Sequence, residues 1–239
     1  ETFHDPVPYQ VALSNNITLT NDMLTGYTFF NISLFPNIKF KSISEHNQII
    51  GWGLEHEISI IDISTEAIVI RTNGNKLNYY RCITKNDAIY KYKLDVLATE
   101  TREIFLDHTN YAVLFKGTND FGNIEIVLPS KTRYYFSNYR INRIHHVLGF
   151  IAYTYTGNVL SKISNEKEEE IVFTYFNGQL VSVVNQKTKQ KILLNYTSNS
   201  LSNIQYMQCN EDLSACSILN EYDFEYQYNK VYQVIDKSL

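Results

Sequence analysis

At 239 residues, 44% of them hydrophobic, the chain can bury a sizeable core as one large β domain or two smaller ones, and is too apolar to read as disordered. A formal net charge of −4 without a basic cluster argues against nucleic acid and anionic membranes as main partners. No run of about 18 apolar residues is present, which excludes a hydrophobic membrane-spanning helix.

The 19 Tyr and 13 Phe, against one Trp, lean towards strand, because aromatic and β-branched side chains suit a pleated, half-buried surface. The chain opens on Glu rather than Met and has no signal-peptide pattern, so it reads as a processed mature protein or a piece of a longer one. Short strands are predicted at Thr18-Leu19 and over 27–34, then over 57–63 and 67–72. The turn Asn73-Gly74-Asn75 leads from there into a strand over 77–82. Asn-Gly between two such runs is a strong hairpin signal, because the tight turn needs positive φ. Residues 95–106 form the only stretch where a short helix competes with strand. Further strands are expected over 112–115, 123–128, 132–136, 140–144, 150–155, 159–163, 171–175, 180–184, 191–196 and 201–206. The charged run 166–170 between two of them reads as a solvated turn. All four prolines, at 6, 8, 36 and 129, fall at strand ends or in loops, as an all-β chain requires. The expected fold is an antiparallel sheet strip of stacked hairpins with little or no helix.

Candidate chemistry is sparse. On a strand, Glu55 and Glu57 share one face and His56 takes the other, so the three do not converge. His145-His146 reads as a turn position rather than a metal pair, and Asp107-His108 and His4-Asp5 are loop-like. Trp52, between two glycines, is either a ligand-stacking residue or a bulky ring plugging a sheet turn. Cys82 reads as a small buried hydrophobe, while Cys209 and Cys216 bracket a short polar segment as a loop-closing disulfide or two thiols. The spacing and the lack of a nearby His argue against zinc, and no cofactor is expected. Asn16, Asn31 and Asn195 begin glycosylation sequons that chance alone accounts for in so Asn-, Ser- and Thr-rich a chain. No nucleophile elbow, phosphate-cradling Gly loop or His-Glu-x-x-His helix is present, so an enzyme is not expected.

The C-terminal half carries a repeat. Tyr155, Tyr175 and Tyr196 lie 20 and 21 residues apart. Each is followed by a Gly/Asn turn (Gly178 in the middle unit), by Leu160, Leu180 or Leu201 five positions on, and by Ile163, Val183 or Ile204 at plus eight. The unit returns in altered form around Tyr228, with Val231 and Val234, after an insertion that holds both late cysteines. Self-similarity at a fixed period of this length marks a repeat architecture, in which a hairpin that cannot bury its apolar face alone does so beside the next.

This unit resembles the YD repeats of the Rhs family, which includes bacterial polymorphic toxin shells, insecticidal toxin-complex shells and teneurins. Residues 175–183 match it well, although Thr156, Phe176, Thr197 and Asn229 stand where the family has Asp after Tyr. Asp5-Pro6-Val7, Gly51-Trp52-Gly53-Leu54 and the turn at Gly74 follow in the order of an Rhs N-terminal region. The resemblance implies an N-terminal β region over 1–130, a YD-like repeat region over 131–239, and one continuous sheet. It further implies a non-enzymatic, encapsulating scaffold: a segment or cap of the shell of a secreted or surface toxin-type protein. The partners would be proteins, namely the rest of a longer shell, an enclosed effector, or a second chain pairing at a sheet edge. The family's self-cleaving element is not found here. Two other readings stand beside it: a secreted carbohydrate- or receptor-binding β domain with Trp52 and the tyrosines facing solvent, and a β-rich hydrolase using Glu55, His56 and distant acids.

Overall fold

A computed structural model describes residues 10–13, 17–19, 38–42, 52–56, 58–72, 75–82, 100–198, 200–227 and 230–237, and every regular element among them is a strand. One sheet holds β1 (Gln10–Leu13), β2 (Ile17–Leu19), β3 (Ile38–Ser42) and β4 (Trp52–His56) in the order β2-β1-β3-β4. The next strands are β5 (Ile58–Ile63), β6 (Ala67–Thr72), β7 (Asn75–Arg81), β8 (Glu103–Asp107), β9 (Ala112–Asn119), β10 (Gly122–Val127), β11 (Arg133–Ser137) and β12 (Arg140–His146). They continue as β13 (Gly149–Thr156), β14 (Val159–Asn165), β15 (Glu170–Phe176), β16 (Gln179–Asn185), β17 (Gln190–Thr197), β18 (Ser200–Cys209), β19 (Cys216–Gln227) and β20 (Lys230–Asp236). These sixteen pair in strict sequence order in one open antiparallel sheet, as an all-β strip of hairpins should. Where helix competed, Glu103–Asp107 is strand β8. The predicted strand at 27–34 lies outside the described residues.

Contacts divide the chain into two compact units, residues 57–154 and residues 1–56 with 155–239. Within the first, Cα atoms of β5 and β12 come within 8 Å of each other, so the strip curls on itself. One register row, Phe105, Leu114, Ile126, Tyr134, Ile144 and Ile151, crosses β8 to β13. On the other face Ile104, Leu106, Val113, Phe115 and Val127 form a core against which Cys82 packs. Residues 104–107, 112–115 and 124–127 are therefore buried on both faces, which explains the unbroken apolar runs at 104–106 and 112–115.

In the second unit β16 is buried on both faces over 182–185, whereas β17 to β19 are one-sided. Phe173, Val183, Ile192 and Tyr206 form one buried row across β15 to β18, and Leu194, Ile204 and Tyr222 another. The opposite face is polar: Asn203 Nδ2 donates to Glu221 and Asp223 at 2.8 Å, and Asn195 Nδ2 donates to Asn203 at 3.0 Å. Leu180→Ala at the buried anchor should cost about 3 kcal/mol, against about 0.5 kcal/mol or less for Thr174→Ala on the exposed side of the neighbouring strand. Urea midpoints that moved equally for both would show that the register is wrong.

Candidate functional site

The repeat residues form a lattice rather than a pocket. Leu160, Ile163, Leu180, Val183, Leu201 and Ile204 are each no more than 5% exposed. Tyr155, Tyr175 and Tyr196 are half-buried, and Gly178 with Asn177 makes an exposed turn with positive φ at both residues. A β-bulge falls just before the tyrosine in three hairpins, setting Tyr175 opposite Leu180, Tyr196 opposite Leu201 and Tyr226 opposite Val231. A bulge interrupts the ladder and leaves backbone groups to be satisfied otherwise. The Tyr196 hydroxyl donates to the Leu180 carbonyl at 2.7 Å, and the Tyr226 hydroxyl donates to the Leu201 carbonyl at 2.7 Å. Each of these rings thus ties its own hairpin to the anchor leucine of the unit before. Burial pushes the Tyr175 hydroxyl up to about 12 and the Tyr196 hydroxyl higher, which keeps both protonated. Tyr196→Phe should cost about 1 kcal/mol of stability in urea denaturation, and an unchanged midpoint would mean that water replaces the hydroxyl at no loss.

In the last unit the tyrosine position belongs to Tyr226; Tyr228 lies outside the described residues. The spacings of five and eight to Val231 and Val234 point to Tyr226 already in the sequence. A second repeated device passes unnoticed at that level. Asn165 and Asn185, ten residues after Tyr155 and Tyr175, are buried and cap their turns. Asn165 Oδ1 accepts from the amides of Lys167 and Glu169, and Asn185 Oδ1 from those of Lys187 and Thr188, at 3.0–3.1 Å. The charged run is thus a turn over 166–169 built around a buried side chain, and Glu170 opens β15. Asn210 does the same for the amide of Ala215, between Cys209 and Cys216, which are joined as a disulfide across β18 and β19.

Trp52 opens β4, opposite Ser42 of β3. Glu55 and His56 follow on the same strand, opposite Lys39 and Ile38, and Glu57 lies outside the described residues. His145 and His146 end strand β12 rather than occupying a turn, because the turn is made by Val147 and Leu148. Asp107, at the end of β8, is buried and accepts from the Thr109 amide and Asn110 Nδ2, both at 2.9 Å.

Charged and aromatic groups converge on one face of β10 to β13. The register row that starts in the apolar core at Ile104 and Phe115 continues through Glu125, Tyr135 and Arg143. Its neighbour runs from Val127 through Arg133 and His145 to Phe150. Glu125, 3% exposed, accepts from Arg102 Nη1 and Arg133 Nη1, both at 2.6 Å. Arg102 also makes a two-pronged pair with Glu100, at 2.9 and 2.8 Å, and lies 4.6 Å above the Phe115 ring. Hydrogen bonds donated to Glu100 and Glu125 hold the Arg102 guanidinium more firmly protonated than usual.

Beside this network the Arg143 guanidinium is clamped between Phe150, 3.7 Å from its ring centre, and Phe121, 4.4 Å away. Its Nε–H donates to His145 Nε2 at 2.7 Å. His145 meets Phe121 and Tyr135 edge-on at 5.0 and 5.1 Å. Asn142, the bulge residue of β12, donates to the Phe121 carbonyl at 2.8 Å and so holds the β9–β10 turn over the strand. Accepting at Nε2 fixes His145 as the neutral tautomer with its proton on Nδ1. Burial, then the charges of Arg143 and Arg133, lower its pKa from 6.5, against a smaller opposing pull from Glu125. A histidine that resists protonation when folded contributes stability that is full above pH 6.5 and is lost as pH falls from there through the lower folded value. His145→Gln should flatten this slope in pH-dependent denaturation, and a slope identical to the parent's would remove His145 as its cause.

This arrangement can orient an anion but offers no activated nucleophile, and among the described residues no group of three or more His, Cys, Asp or Glu gathers to hold a metal. Nor is any helix among them long and apolar enough to cross a membrane. A scan against models of known families matches none, and a search of curated proteins finds no match.

Proposed function

We propose that the chain is a non-enzymatic β scaffold, a segment or cap of an Rhs-like shell in a secreted or surface toxin-type protein. The observation that carries this reading is the tyrosine tie: the Tyr196 and Tyr226 hydroxyls each bind the preceding unit's leucine carbonyl, in a strip whose hairpins add one after another. The polar outer face of β17 to β19, with its Asn, Gln and acid ladder, suits a wall with one side towards solvent. A sheet that ends on strands β5 and β20 rather than closing offers edges to further chain, which fits a protein partner.

The test is to read the gene on either side of this segment and to purify its complete product from the native source. Tyrosine units with aliphatics at plus five and plus eight should continue in the flanks, and the product should retain a protease-resistant passenger or a bound protein. Unrelated flanks together with a monomer that holds no protein would end the proposal. Saturable glycan binding that disappears in Trp52→Ala, with the fold intact, would replace it with a carbohydrate-binding function.

A further inference from the structure

We propose that Arg143 anchors a binding site for a carboxylate carried on an apolar group, on the face formed by β11, β12 and β13. Charge matching sets this residue apart from the arginines around it. Arg102 and Arg133 share Glu125, Arg102 holds Glu100 as well, and Arg81 pairs with Glu103. Arg143 has no ion pair among the described residues; its partners there are two phenyl rings and an imidazole nitrogen.

The geometry selects the ligand. Both rings pack against the guanidinium and His145 occupies Nε, which leaves the end-on pair of terminal amino groups to donate. Two parallel N–H donors in a plane fit the two oxygens of a carboxylate. Clamped rings and the Nε bond hold that plane before a ligand arrives, so little rotamer freedom remains to be lost on binding. His145, neutral, adds no second charge, and Arg133, its cross-strand neighbour, is already matched by Glu125. A monoanion therefore balances the site, whereas a phosphate dianion would leave charge unmatched among aromatic rings. Apolar surface lies close by: Val147 and Leu148, 73% and 74% exposed, form the tip of the hairpin that carries both His145 and Phe150.

Such a carboxylate has two sources, a free organic acid or an acidic side chain in an apolar peptide. The experiment follows arginine side-chain and histidine NMR signals of the whole chain during titration with four probes. These are 3-phenylpropionate, its neutral amide, inorganic phosphate, and the blocked peptide acetyl-Leu-Asp-Leu-amide. Saturable shifts of Arg143 Nε and His145 are expected with phenylpropionate and the peptide, none with the amide, and weaker ones with phosphate. The carboxylate that binds at least about tenfold more tightly identifies the source. Arg143→Gln should abolish the shift at His145, and Arg143→Lys, which keeps charge but not the fork, should weaken binding about tenfold or more. Equal binding of acid and amide, retention of binding in a folded Arg143→Gln protein, or no saturable shift with either carboxylate overturns the proposal. Should Arg143→Gln fail to fold, the lysine variant decides the matter alone.

Discussion

Gly122→Ala is expected to lower stability by more than about 3 kcal/mol, a larger loss than alanine at Gly117, Gly157 or Gly178. Gly122 opens β10 at a bulge opposite β9, with φ at +156°. A Cβ built there would lie 2.1 Å from the Phe136 carbonyl oxygen and 2.7 Å from its carbon, well inside contact distance. Both atoms are backbone, held in the β10–β11 ladder, and the Phe136 side chain is fully buried. No rotamer change relieves the clash; β11 has to move, and the cluster of Tyr135, Arg143 and Phe121 moves with it. Gly178 supplies the control. Its φ is +79° and nothing lies within 4 Å of a Cβ built on it, so alanine there meets only the local cost of a left-handed conformation, about 1 kcal/mol. Urea denaturation followed by far-UV circular dichroism measures both. Comparable losses at the two glycines would show that β10 and β11 do not approach as described.

Much of the fold is legible because the forces that shape it are local. Alternation over 171–175 and 180–184, and the Asn177-Gly178 turn between them, specify a hairpin without reference to the rest of the chain. The plus-five and plus-eight aliphatics are the positions the sheet buries, since bulge and pleat together put Leu180 and Val183 on one face. The misreadings have equally local causes. Gly53 lies within β4, opposite Lys41, although glycine in a strand has little local support and reads as a turn. The two central turn residues after His146, Val147 and Leu148, are aliphatic, and Gly149 comes only where β13 begins, so the end of β12 is poorly marked. The Arg143 cluster is illegible for another reason. Only Arg143 and His145 are near in sequence; Phe121, Glu125, Tyr135 and Phe150 reach them from other strands and a turn, through a register that bulges at Gly122 and Asn142 displace. A one-residue slip in either would send those side chains to the opposite face.

The second large effect expected is at Glu125, whose replacement by alanine should cost about 3 kcal/mol or somewhat more. The carboxylate is buried and bound by two guanidiniums, so its removal leaves positive charge facing positive charge beside an apolar core. Two features keep the loss from being greater. Arg102 retains Glu100, and the Arg133 side chain, 48% exposed, can turn to water. The same exposure sets the order within the network. Arg133→Ala should cost under about 1 kcal/mol, as for a surface pair. Arg102→Ala should fall between, since it breaks both carboxylate contacts and the stack on Phe115. Glu125→Gln should be nearly as harmful as alanine, because an amide turns its own N–H towards one of the two donors. Charge burial makes a further demand: Glu125→Leu combined with Arg102→Met should be less damaging than Glu125→Leu alone, because the pair removes the stranded cation together with its partner. Denaturation of the single and double variants measures these differences. If Arg133→Ala matched Glu125→Ala, or if the double substitution were as costly as the sum of its parts, the network would be contributing through packing rather than through buried charge.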